Sequence, residues 1–278
     1  MRRKEYFDHT CTVVSEVYPP EEGRAITFQL FESLLGLRRE DIFLLPEAEC
    51  EPSEAFSQAV EQLLHHRPLQ YILGETEFYG LPFYVNEKVL IPRPETEELV
   101  QWIIHDCKGT SPRILDIGTG SGAIAVSLAK NLPEASVFAV DISSGALDTA
   151  RQNARLNQVN IQFTQSDILR EHPEGMFDVI VSNPPYVRKT EKSLMHRNVL
   201  DHEPDIALFV PDDDPLLFYR RVAELAKNRL GDRGALYFEI NEVFGPQIQE
   251  LLSARGYTEI EIRSDIFGKD RMAKGTKR

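Results

Sequence analysis

Residues 113–117 read Arg-Ile-Leu-Asp-Ile, and Gly118-Thr119-Gly120-Ser121-Gly122 follows at once, before a helix-forming run to Lys130. An apolar strand that empties through a glycine turn into a helix is one half of a strand–helix–strand unit. The glycines let the backbone turn sharply and come close to a ligand. Downstream the alternation continues. "SVFAV" (136–140), "IQFTQ" (161–165), "FDVIVS" (177–182) and "GALYFEI" read as strands, and "YTEIEIRSD" as the last one. Helical segments lie between them: "GALDTARQNARLN", "DPLLFYRRVAELAKNRL" and "PQIQELLSARG", the last closing at Gly256. Alternation of this kind predicts an α/β domain with a mostly parallel sheet covered by helices.

The sequence before this unit has a different texture. "AITFQLFESLLGL" and "AFSQAVEQLLHHRPLQYILG" place apolar residues at helical spacing, punctuated by Gly36, Pro52 and Pro68. We read residues 1–75 as a small all-α domain. "TEFYGLPFYVNEKVLI" (76–91) is rich in aromatics and Val, with Gly80 and Asn86 as turn residues, and predicts a β-hairpin linking two domains. The second domain then runs over 92–278. It begins with "IPRPETEELVQWIIHD", where Pro94 suits a first helical position and Glu95, Glu97 and Glu98 favour the positive end of the helix dipole.

At 278 residues the chain has room for two domains. It carries a net charge of −13, over half of it in the first third, which argues against nucleic acid as a partner. Cys11, Cys50 and Cys107 are far apart and lack ligand spacing, so neither a disulfide framework nor a zinc site is expected. The histidines, including the pair His65-His66 and His196 and His202, show no metal-site spacing either. No apolar run is long enough for a membrane span, and the basic start lacks the apolar stretch of a signal peptide. A cytoplasmic protein is expected.

Three acidic or glycine-bearing positions fall at the carboxyl ends of consecutive strands, where open α/β sheets bind ligands. Gly118 to Gly122 form the first. Asp141 ends the second strand and can accept both hydroxyls of a ribose, or cap the helix that begins near Ser144. With the glycine turn in place the ribose role is favoured. Asp167 follows the third strand and could meet an adenine amino group, with Ile168 covering the ring. The turn lacks a Gly-Lys-Ser/Thr, so it is not a phosphate loop. NAD and S-adenosylmethionine both remain compatible with these residues.

Ser182-Asn183-Pro184-Pro185-Tyr186-Val187 ends the fourth strand. Two prolines fix their φ angles and hold the carbonyls of Asn183 and Pro184 in place. A planar –NH2 has two hydrogens to give. The Asn183 side-chain oxygen can accept one and the Pro184 carbonyl the other, while Tyr186 stacks on the planar group. A conjugated amide nitrogen is a poor nucleophile, so holding it within about 3–3.5 Å of the reacting carbon is the main device available. An activated methyl donor makes use of such a clamp; hydride transfer does not. Glu239, at the end of "GALYFE", points toward the same edge as a polar support.

These motifs, with "RPLQYILGETEFYGLPF", "IPRPETEELV", "ILDIGTGSGAIAVSLA", "VDIS" and "HEPDIALF", resemble the release-factor glutamine N5-methyltransferases over nearly the full length. That resemblance implies a Rossmann-like class I methyltransferase fold with a seven-stranded sheet. It also implies S-adenosylmethionine as methyl donor and S-adenosylhomocysteine as product. The implied substrate is the glutamine of the Gly-Gly-Gln motif in bacterial class I peptide chain release factors. On this chain Gly118, Thr119, Gly120, Ser121, Gly122, Asp141, Asp167, Ile168 and Asn183 would hold the cofactor. Asn183, Pro184, Pro185, Tyr186, Arg93 and Glu95 would hold the substrate, Asn183, Pro184 and Tyr186 serving catalysis. No metal is implied and a monomer is expected. The chain departs from the family pattern after "ALF", where "VPDDDPLLF" replaces a glycine-rich stretch and is expected to be a surface connection. The alternative is an adenine-N6 methyltransferase acting on DNA or RNA, since Asn-Pro-Pro-Tyr is shared with such enzymes. It would need a basic face and a means of flipping the base, which the acidic composition does not supply.

Overall fold

In a computed structural model, residues 1–278 are described, the side chain of Leu194 excepted. The chain divides into two compact units, Met1–Gly74 with His196–His202, and Glu75–Met195 with Glu203–Arg278.

The first unit is helical: α1 (Arg3–Val14), α2 (Pro20–Leu35), α3 (Arg39–Leu44), α4 (Glu54–Leu64) and α5 (Leu69–Leu73), with the one-turn α9 (Arg197–Leu200) from far along the chain. Pro20 opens α2, and Gly36 closes it in the left-handed conformation. Both choices follow from backbone sterics: proline has no N–H to lose at a first turn, and glycine alone bends left-handed without penalty. Phe7, Leu30, Phe31, Ile42, Phe56 and Leu63 form its core and are almost wholly buried.

In the second unit the elements run β1 (Glu75–Phe78), β2 (Leu81–Tyr84), α6 (Pro94–Cys107), β3 (Arg113–Ile117), α7 (Ala123–Asn131), β4 (Ser136–Asp141), α8 (Ser144–Leu156), β5 (Ile161–Gln165) and β6 (Phe177–Ser182). They continue with β7 (Val187–Arg188), α10 (Asp205–Leu208), β8 (Phe209–Val210), α11 (Leu217–Arg229), β9 (Leu230–Glu239), α12 (Gly245–Ala254), β10 (Tyr257–Ser264) and β11 (Asp270–Lys277). The main sheet has seven strands in the order β10-β11-β9-β6-β3-β4-β5. Pairings from β9 through β5 are parallel, and β11 is antiparallel to both its neighbours. This is the Rossmann-like, mostly parallel seven-stranded arrangement that the resemblance implies.

Period-two side chains sort the sheet's two faces. Ile114, Val179 and Val181 pack with α6 and α7, while Leu115, Ile117, Ile180 and Phe238 pack with α11 and α12. The sequence pattern yields six of the seven strands. The seventh strand, which the resemblance implies, is β11; the pattern does not mark it, because Asp270–Lys277 is mostly polar and shows no alternation. It is held by backbone pairing on both sides, and only Met272, Ala273 and Gly275 are buried.

The hairpin β1–β2 lies within the second unit. Asn153 of α8, completely buried, binds it at both ends of one residue, accepting from Tyr84 N at 2.7 Å and donating to Tyr84 O at 2.9 Å. The same carboxamide donates to Ser121 O at 2.8 Å, so one side chain links the hairpin to the glycine turn. The "VPDDDPLLF" segment is more than a surface connection. Phe209–Val210 pairs in parallel with Val187–Arg188, Val210 is buried, and Asp212 accepts from Thr190 N at 3.0 Å and from its hydroxyl at 3.1 Å.

Candidate active site

The glycine turn, Asp141, Asp167 and the Asn183 corner hang from the carboxyl edge of the sheet. From β3 the successive strands β4 and β5 step one way, whereas β6 and β9 step the other, so a crevice opens between β3 and β6. Ligands of open α/β sheets occupy this kind of switch point. Ser182, the last residue of β6, donates through its hydroxyl to Ile117 O at 2.8 Å and pins the two strand ends together.

On the β3 side, Gly118, Gly120 and Gly122 all have positive φ. The turn is stitched to β4 by Gly118 N and Thr119 N donating to Val140 O, at 2.9 and 3.1 Å. Gly122 is needed for contact as well as for conformation, since a Cβ there would meet Ala150 Cβ at 3.1 Å and Ala150 Cα at 3.3 Å. Around Gly118 and Gly120 no protein atom lies within 4 Å of an added Cβ, which leaves the turn open toward the crevice.

Asp141 receives one backbone N–H on each oxygen, from Gly120 at 2.9 Å and Ser143 at 2.9 Å. Burial pushes its carboxyl up, against those same hydrogen bonds. Helix α8 is capped by the Ser143 hydroxyl, which accepts from Ala146 N at 3.1 Å, so the Asp141 carboxylate is not the residue that caps it. Each Asp141 oxygen keeps a further lone pair for a ligand hydroxyl. Asp167 accepts from Leu169 N at 3.0 Å. Ile168, half-buried, is held from behind by Arg221 of α11, whose Nε donates to Ile168 O at 2.5 Å.

Asn183, Pro184 and Pro185 line the same cavity as Gly118, Asp141 and Asp167, about 290 Å³ in size. That is near the lower end for small-molecule sites. Tyr186 does not line this cavity. Its hydroxyl donates to Glu239 Oε1 at 3.3 Å, and burial together with the Glu239 charge pushes its pKa above the usual range. Glu239, 2% exposed, ends β9. Its Oε2 accepts from the Thr96 hydroxyl at 2.5 Å, and Asn183 Nδ2 donates to Thr96 Oγ1 at 3.4 Å. Burial pushes the Glu239 carboxyl up, while Thr96, Arg271 and Tyr186 oppose the shift.

Arg93 and Thr96 line the cavity too. Arg93 Nη2 is taken by the Glu203 carboxylate at 2.7 Å, whose other oxygen accepts from Ile91 N at 3.4 Å. Glu203 has 1% of its side chain exposed, and burial raises its pKa although Arg93 opposes the shift. This ion pair joins the "IPRPE" loop to the start of the "EPDIAL" segment. Glu95 occupies the first turn of α6 and stands outside the cavity lining. The resemblance places Thr96, with Arg93, Pro94 and Glu95, beside the cofactor, and Thr96 does line the cavity. Sequence reasoning missed Glu203 and Asn153, and the signal available for Glu203 was its place inside "HEPDIALF".

Comparison with known proteins adds a second line. Residues 16–74 match a model described as PrmC N-terminal domain, and 95–203 one described as Methyltransferase small domain. The chain is 48% identical over 278 residues, 98% of each chain, to the release factor glutamine methyltransferase of Flavobacterium psychrophilum. The chain belongs to this family. The corresponding protein of Bacteroides thetaiotaomicron is 45% identical over 264 residues, 93% of this chain and 94% of that one. A solved methyltransferase from Pyrococcus furiosus, 21% identical with a TM-score of 0.52, covers 72% of this chain and 90% of its own and shares the fold. As a member of the family the chain is a methyltransferase. Among the described residues no group of His, Cys, Asp and Glu could hold a metal ion, and no helix is long and apolar enough to cross a membrane.

Proposed function

We propose that this protein transfers a methyl group from S-adenosylmethionine to the side-chain amide nitrogen of the Gly-Gly-Gln glutamine of peptide chain release factors. The observation that carries the reading is one cavity lined at once by the glycine turn, Asp141 and the Asn183-Pro184-Pro185 corner. The residues fit the cofactor. The open space at Gly118 and Gly120 admits a ligand against bare backbone, Asp141 offers two acceptor oxygens to ribose hydroxyls, and Asp167 and Ile168 offer an acceptor and an apolar surface to a purine. When bound, the cofactor supplies a methyl carbon already activated by its positive sulfur.

The chain's own work is then orientation. An amide nitrogen is too weak an acid to be deprotonated beforehand by a carboxylate or imidazole, so the amide must be held with its face toward the methyl carbon. The Asn183 side-chain oxygen and the Pro184 carbonyl accept its two hydrogens. Prolines 184 and 185 keep those acceptors from relaxing. Tyr186 is held by Glu239 behind this corner. Alignment of this sort contributes several kcal/mol. After transfer the nitrogen is acidic and its proton passes to solvent. Arg93, engaged by Glu203, serves by fixing the loop before α6 rather than by gripping substrate.

The helical first unit supports a protein substrate, and the acidic chain disfavours the adenine-N6 alternative. Mass spectrometry of a recombinant release factor incubated with the protein and S-adenosylmethionine should find one added methyl, on the Gly-Gly-Gln glutamine. Asn183→Ala should lose most turnover while retaining cofactor. Methylation of adenine in an oligonucleotide, with the release factor untouched, would refute the assignment.

A further inference from the structure

A carboxamide can act as a clamp only if it presents the right end. Asn183 has an oxygen and an –NH2 of nearly equal size, and a substrate amide needs the oxygen. What selects it is found away from the cavity. The buried Glu239 carboxylate has no proton to donate when ionised, so the Thr96 hydroxyl must donate to it, at 2.5 Å. Thr96 has a single hydroxyl proton, so its oxygen can act only as an acceptor toward its other neighbour. That neighbour is Asn183, which therefore turns Nδ2 to Thr96 at 3.4 Å and leaves its oxygen for the substrate. The other oxygen of Glu239 accepts from Tyr186 at 3.3 Å.

We propose that Glu239 is a positioning residue: through Thr96 it sets which end of the Asn183 carboxamide faces the substrate amide, and it holds Tyr186 directly. The proposal rests on the methyl-transfer reading above. It explains why a carboxylate with 2% exposure stands at the carboxyl end of β9, and why a β-branched threonine follows Pro94-Glu95 in the first turn of α6. A positive charge acting on Glu239 is that of Arg271 of β11, held by Asp265 at 3.2 Å and Glu242 at 3.7 Å. It favours the ionised carboxylate, whereas Glu95 and burial oppose it. Without the negative charge, Thr96 could receive a proton from below and donate upward, and the carboxamide would be free to invert.

The test uses the full chain with Glu239→Gln, Thr96→Val and Thr96→Ser. Glutamine can donate to Thr96, and valine can neither donate nor accept; serine keeps both roles. Misorientation on this scale costs about 10²-fold. Glu239→Gln and Thr96→Val should each lower kcat about that much, with KM and cofactor affinity nearly unchanged, and Thr96→Ser should stay close to wild type. The double variant Glu239→Gln/Thr96→Val should be no worse than either alone, because the two act in series. A purely structural role would instead lower thermal stability and cofactor affinity along with kcat.

A second readout needs no turnover. The Asn183 side-chain amide protons, followed by nitrogen-edited NMR, should show one proton protected from solvent exchange in wild type and in Thr96→Ser, but not in the other two. Retained kcat in Glu239→Gln, or retained protection in Thr96→Val, would overturn the proposal. Should Glu239→Gln fail to fold, the Thr96 pair decides alone. If wild type left the release factor unmethylated, the function would be wrong, while the exchange data would still judge the orientation.

Discussion

Asp116 occupies a position on β3 where period two calls for an apolar side chain, on the face that carries Ile114. It is fully buried, its Oδ2 accepts from the Thr119 hydroxyl at 2.7 Å, and Oδ1 is unpartnered. Burial pushes its pKa up to about 7, with the nearby Asp141 charge adding to the rise. An unfolded aspartate releases its proton near pH 3.9. Stability from the neutral carboxyl is therefore fully present below about pH 4 and is lost as pH rises through about 7. Asp116→Asn, neutral throughout, should match wild type at low pH and exceed it by up to a few kcal/mol at pH 8, measured by urea midpoints at both ends. Equal midpoints at pH 8 would mean that Asp116 is not destabilised by ionising. Asp141→Ala removes an anionic acceptor of two hydrogen bonds worth about 1.5–3 kcal/mol each, so calorimetry should find cofactor affinity down by roughly 100-fold or more. Unchanged affinity would take Asp141 out of the cofactor site. Asp141 was legible because it ends an apolar strand. The pairing of Thr96 with Glu239 was harder to read, since they join across 143 residues and nothing local pairs them.

Among the elements, the glycine turn separates two demands that its sequence presents as one. Gly122→Ala would meet backbone and Cβ of α8 in a left-handed conformation, whereas Gly118→Ala meets only open space. The first should cost about 2–4 kcal/mol of stability, from strain and overpacking together. The second should cost about 1–2 kcal/mol, from conformation alone, and act mainly on cofactor binding. Equal losses in a thermal or urea titration would contradict the distinction. Periodicity made β3, β4 and β6 readable, because apolar side chains on both faces give near-continuous runs. It could not show β11, which is paired on both flanks through backbone groups that every sequence possesses. The β7–β8 pair, two residues each, is too short to carry a period at all. The start of α6 was better marked: Pro94 stands in the first turn it suggested.

At the scale of the molecule, the charge of −13 is the property that no single site explains. It sets the long-range field that a partner meets before any contact forms, and it repels polyphosphate backbones. A protein substrate whose face around the reactive glutamine carries Lys and Arg is the kind that such a field favours. An acidic enzyme would draw that face in and leave free nucleic acid aside. Stopped-flow association of the two proteins should slow by about tenfold or more as salt screens the attraction between roughly 20 mM and 500 mM. The dissociation rate should change far less, because steering acts on encounter. An RNA oligonucleotide in excess should not compete at physiological salt. An association rate independent of salt would show that the acidic excess serves some purpose other than encounter. It would leave the chemistry of the Asn183 corner untouched, since that chemistry depends on contacts a few ångströms long and not on the net charge.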